Sequence, residues 1–250
     1  MRHDFLDKHS HISSPVHSLD PRVKIVAAFS AIVIIVTEPV DGHLLRFTLY
    51  TAMVIAVAAL SRVPPLYIMK RLLMVLPFIL MAALFYPLSV YYSNSGELTT
   101  SRAMLAGAGL TILMKSVLAV VLLILLSSTE RFHRLLLALR RLKVPSIITT
   151  ISALLYRYIF LLVDETLKTT RARDSRTPGR LTISKAGVYG NQVAVIFLRS
   201  WERAQVIYKS MLSRGFTGDF PDMQSLKLRI ADVVLPVLFI ALLLAVRIWI

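Results

Sequence analysis

The sequence predicts an all-α membrane protein with about five transmembrane helices and a cytoplasmic or interfacial helical domain built around two long helices. Three observations predict it. Of 250 residues, 56% are hydrophobic and the mean hydropathy is +0.68, whereas a soluble domain of this length needs a more polar surface. Five apolar runs approach or reach the roughly 20 residues that cross the hydrocarbon of a bilayer. The charge is concentrated: the stretch 129–228 holds 17 Lys and Arg against 7 Asp and Glu, a net +10 of the chain's +15.

The polar N-terminus, Met1 to Arg22, lacks the apolar core of a signal peptide and reads as a cytoplasmic lead-in. The first run spans about Val23 to Thr37 and stops at Glu38-Pro39. The second covers Leu44 to Ser61, and the third about Leu72 to Val90, with Pro77 and Pro87 inside. The fourth is Ala103 to Ser128 and the last Ile230 to Ile250, with Pro236 inside. Proline is tolerated in spans when neighbouring helices satisfy the freed carbonyls. Loop charges orient these runs. Arg22 and Lys24 precede the first, and Arg62, Lys70 and Arg71 separate the second and third. The connections 38–43 and 91–101 carry acids and no Lys or Arg. By the positive-inside rule the N-terminus and everything from 129 to 228 are cytoplasmic.

Helical periodicity fills that basic stretch. Phe132, Leu135, Leu136, Leu139 and Leu142 share one face. Tyr156, Ile159, Phe160, Val163 and Leu167 share another, as do Ala204, Ile207, Tyr208 and Met211. The spacing predicts helices over about 129–142, 146–176 and 189–214, with breaks at Pro145 and Pro178-Gly179. Ser146 to Val163 is apolar enough for a sixth span. A charge at mid-membrane costs about 2.5–3.5 kcal/mol on insertion scales, so Arg157 favours an interfacial helix. The domain reading is therefore 1–128 (lead-in and four spans), 129–228 (coupling helices) and 229–250 (last span).

Two arginines occupy matching positions near the ends of the long helices. Arg173 lies in Ala172-Arg173-Asp174, and Arg214 in Ser213-Arg214-Gly215. Cations are favourable at helix C-termini, and a planar guanidinium pairs bidentately with carboxylates. Simple helix capping and inside-marking remain the alternative on spacing alone.

With these motifs stand Ser14-Pro15-Val16-His17-Ser18-Leu19-Asp20-Pro21-Arg22-Val23-Lys24 near the N-terminus, Arg157-Tyr158, Val163-Asp164-Glu165, and Phe216-Thr217-Gly218-Asp219-Phe220-Pro221. Together and in this order they resemble the transmembrane T component of energy-coupling factor transporters, in its cobalt-type CbiQ branch, over nearly the whole chain. The resemblance implies a non-enzymatic coupling subunit in a bacterial or archaeal cytoplasmic membrane. Two cytoplasmic ABC-type ATPases would receive Arg173 and Arg214, and motion would pass to a substrate-binding membrane subunit of CbiM type, with or without a small CbiN-like subunit. Asp174 stands where many members carry glycine, which leaves the ending of that helix open. Cobalt is the expected cargo and nickel the alternative, and no cofactor is implied.

The remaining signals are weaker. His3, His9, His11 and His17 match no compact ligand pattern, so no metal site is expected. Glu130, Asp164, Glu165 and Glu202 lack an accompanying nucleophile or metal cluster, and no Walker A loop occurs. Lys115, near the middle of the fourth span, faces either a protein interior or a watery cavity. Gly107 and Gly109 permit close helix contact with a partner or within the bundle. An ordinary ABC permease would carry a Glu-Ala-Ala loop, which 129–228 lacks. A nucleic-acid or anionic-lipid binder would not need arginines at two helix ends, and no nucleic-acid partner is expected. With no cysteine in the chain, disulfides and thiolate chemistry are excluded and the redox compartment is undetermined.

Overall fold

The computed structural model describes residues 14–39, 44–93, 102–176, 186–218 and 230–249, and these residues form helices and connecting turns. In chain order the helices are α1 (Pro15–Ser18), α2 (Pro21–Val36), α3 (Leu44–Ser61), α4 (Pro65–Ser93) and α5 (Arg102–Thr129). They continue with α6 (Phe132–Arg141), α7 (Ser146–Arg176), α8 (Ala186–Ser213) and α9 (Ile230–Trp249). The chain divides into two compact units, Arg2–Ala138 with Ser225–Ile250, and Leu139–Gln224.

The first unit is an apolar bundle. Its N-terminal motif is two helix starts in succession. Ser14 caps α1 and Asp20 caps α2, each followed by proline at the first helical position, where the missing N–H is not needed. Asp20 accepts the backbone N–H of Arg22 at 2.9 Å. α2 packs against α5 and α9, α3 also touches α5 and α9, and α4 runs along α5. Ala31 and Ile35 of α2, Tyr50 and Val54 of α3, Leu118 of α5 and Leu243 of α9 form the buried core. On α4, by contrast, Met74 is 79% and Phe78 74% exposed. Leaving such side chains in water forfeits about 1.5–3 kcal/mol each, so this face is built for apolar surroundings, as in a membrane protein.

Four helical stretches have the length and composition to cross a membrane: Pro65–Tyr86, Gly109–Thr129, Ser146–Arg176 and Asp232–Trp249; Leu45–Ser61 is apolar but shorter. This set differs from the expected one at three places: α3 falls short of a full span, and α2 and α7 depart as follows. α2 has only 16 residues, about 24 Å against a hydrocarbon thickness near 30 Å. α7, expected at the interface, qualifies by length and composition. Its Arg157 lies over the ring of Tyr158 at 5.8 Å, a contact that compensates part of the charge.

The second unit contains α7 and α8, of 31 and 28 residues, packed on each other. Between them runs an open cavity of ≈ 970 Å³, lined by Ile151, Leu154 and Leu161 from α7, Arg203 and Ile207 from α8, and Phe216 beyond it. Glu165 and Arg199 pair across the two helices at 2.8 Å.

Candidate functional site

The end of α8 is built by its sequence. Gly215 has φ +80°, a conformation open to glycine at little steric cost. Its N–H donates to the carbonyl of Leu212 at 3.0 Å, and the N–H of Phe216 donates to that of Met211 at 3.0 Å. These two bonds define a Schellman motif, with Phe216 and Met211 at the positions whose apolar contact accompanies it. Ser213-Arg214-Gly215 is therefore a helix stop, and Arg214 is the capping residue, exposed. Among the described residues its side chain makes no ion pair. α6 ends the same way with Lys143 (φ +67°) in the left-handed position.

Arg173 is placed differently. It lies in the last turn of α7, which continues through Asp174 to Arg176, so the aspartate does not end the helix. The Arg173 side chain is 16% exposed. Its Nε and Nη2 donate to Asp174 Oδ1 at 3.0 and 2.7 Å, and its Nη1 donates to Gln192 Oε1 of α8 at 2.7 Å. The guanidinium carbon sits 4.9 Å from the ring centre of Tyr189. Gln192 is turned toward it because its amide nitrogen donates to Thr170 Oγ1 at 2.8 Å. Sequence reasoning missed Thr170, Tyr189 and Gln192. Tyr189 and Gln192 are three apart and share one face of α8, but only the packing of α8 on α7 brings that face to Arg173.

Several other sequence-flagged residues fall in the bundle, whereas Arg157, Asp164, Glu165 and Glu202 lie on α7 and α8. Lys24 and Glu130 form a buried ion pair, with Arg134 3.7 Å from the second carboxylate oxygen. Lys24 also donates to the carbonyl of His17 at 3.3 Å. Lys115 reaches the C-terminal end of α2, donating to the carbonyls of Val36, at 3.3 Å, and Glu38. Glu38 is buried and holds Arg46 at 2.6 Å and Arg247 at 3.7 Å. Among the described residues a Cβ at Gly107 would meet nothing within 4 Å, so no packing within this part of the chain explains that glycine. His17 lies beside Ser14 Oγ at 2.7 Å, while His3, His9 and His11 lie outside the described residues. Among the described residues no three His, Asp or Glu side chains gather as a metal site.

Fold and site thus define a multi-pass α-helical membrane protein with a basic, two-helix unit that carries arginine at both helix ends. Residues 12–226 match the family described as CbiQ, cobalt transport protein. An uncharacterised protein of Methanocaldococcus jannaschii is 25% identical over 92% of this chain and 80% of its own length. The energy-coupling factor transporter transmembrane protein EcfT of Ruminiclostridium cellulolyticum is 25% identical over 82% of this chain and 81% of its own. A protein of Methanocorpusculum labreanum named as a fused cobalt transport protein, CbiMQ, is 24% identical over 83% of this chain, which spans 36% of that longer protein. The chain belongs to the CbiQ family, the cobalt-type T component of energy-coupling factor transporters.

Proposed function

We propose that this chain is the coupling subunit of a cobalt importer, and that Arg173 and Arg214 are its contacts with two cytoplasmic ATPases. The observation that carries the reading is the placement of one arginine at the end of each of the two long helices of a single unit. α7 and α8 are stiff levers, and a force applied at their ends is transmitted along them. Each arginine offers a planar, permanently charged donor array suited to carboxylates. ATP would be hydrolysed by the partners, and the motion would pass through the two helices to a substrate-binding membrane subunit of CbiM type. The N-terminus and the ends of α7 and α8 would lie in the cytoplasm of a bacterial or archaeal cell.

Charge reversal tests this. Arg173→Glu and Arg214→Glu together should leave the chain inserted in the membrane, abolish co-purification of the ATPases and stop cobalt uptake. Retention of both ATPases by the double variant would reject the proposal.

A further inference from the structure

The two arginines are not equivalent in the folded chain, and the difference lies in residues with no assigned role. A guanidinium has five N–H donors. At Arg173 three are used by described neighbours: two by Asp174 and one by Gln192. One face is covered by Tyr189. Two N–H groups remain for a partner, and the charge is already met by a carboxylate. Arg214, on its capping turn, makes no ion pair among the described residues and is exposed.

We infer that Tyr189 and Gln192 of α8 are positioning residues that hold the Arg173 guanidinium in one orientation, and that Asp174 is an internal competitor for the partner's carboxylate. This rests on the coupling reading above. Thr170 fixes Gln192, Gln192 and Tyr189 fix the plane of Arg173, and the plane decides which two N–H groups face outward. Asp174 is itself 58% exposed. Ion pairs so open to water are weak, so a partner carboxylate can displace it. Docking at the end of α7 then means exchange of one carboxylate for another, whereas docking at the end of α8 adds a carboxylate where none stands among the described residues. The same helix pair thereby holds two partners with different strength and different salt sensitivity.

The test uses the full chain in lipid nanodiscs and the ATPase subunits that co-purify with it, with affinity read by biolayer interferometry. Asp174→Asn keeps the shape and removes the charge. It should tighten binding by about 1.4- to five-fold, the range an exposed ion pair spans. The gain should vanish in the Arg173→Ala background and persist in the Arg214→Ala background. Tyr189→Leu with Gln192→Ala should weaken binding about as much, again only when Arg173 is present. Unchanged or weaker binding in Asp174→Asn would overturn the competition, and unchanged binding in the Tyr189/Gln192 double variant would overturn the positioning role. If Arg173→Ala and Arg214→Ala each leave affinity untouched, it is the coupling reading itself that fails.

Discussion

Lys24 of α2 and Glu130, at the junction of α5 and α6, form a buried ion pair across 106 positions of sequence. Their side chains are 6% and 1% exposed. The pair ties the N-terminal motif to the point where the apolar bundle gives way to the basic stretch. It also explains how Lys24 is held buried near the start of a largely apolar helix.

Breaking this pair on one side leaves a charge buried alone. Glu130→Ala should therefore destabilise the chain by about 3–5 kcal/mol, whereas Lys24→Met with Glu130→Leu should be close to neutral. Thermal unfolding in one detergent distinguishes the two. Equal destabilisation by the single and double variants would show that packing, not charge, governs the site.

Lys115 is the residue whose role the sequence left open. It donates to two carbonyls at the end of α2, beside a carboxylate that also holds Arg46 and Arg247. Lys115→Met should cost about 1–3 kcal/mol of stability through the unsatisfied acceptors. Cobalt uptake per folded molecule should stay unchanged. Lost uptake with unaltered stability would assign Lys115 to transport instead.

Gly215 gives a sharper probe of the α8 end. Among the described residues a Cβ there would meet no atom within 4 Å, yet φ is +80°, so substitution acts through backbone strain. Gly215→Ala should cost about 1–2 kcal/mol locally and unseat Arg214. Gly215→Asn should lose less, because asparagine tolerates the left-handed region. Binding of the co-purified ATPases, ranked Gly, Asn, Ala, checks the order; equal binding by all three would detach Arg214 from its turn.

Much of the helical skeleton was legible because periodicity and breakers are local. The expected 44–61 and 146–176 are the observed α3 and α7, and the expected 189–214 is α8 (Ala186–Ser213). α4 begins at Pro65, seven residues before the apolar run at Leu72; proline is suited to the first helical position, and the stretch with the length and composition to span starts there too, taking in Lys70 and Arg71. Which helices can span was less legible: α2 is short although apolar, and Arg157 made α7 look less insertable than its composition is. The arginines at the helix ends could be read from sequence. Their surroundings could not, since Gln192 and Tyr189 meet Arg173 only through the packing of α7 on α8, and Lys24 meets Glu130 only through the folded bundle.

α7 carries both a span-like composition and the first of the two helix-end arginines, so its ends need to be placed directly. With no native cysteine, Ser146→Cys and Ser175→Cys can be labelled against a clean background. An interfacial α7 puts both on the cytoplasmic side, open to a membrane-impermeant maleimide in inverted vesicles and closed in intact cells. Labelling of one from each side would make α7 a true span.

The central claim is that the ends of α7 and α8 meet ATPases, and its most direct test is cross-linking in native membranes. A photoactivatable thiol reagent on Ser213→Cys, the residue before Arg214, should join this chain to an ATPase subunit. Ser175→Cys, two residues beyond Arg173, should do the same. Cross-links confined to other membrane subunits, or labelling of both cysteines from outside the cell, would contradict the account.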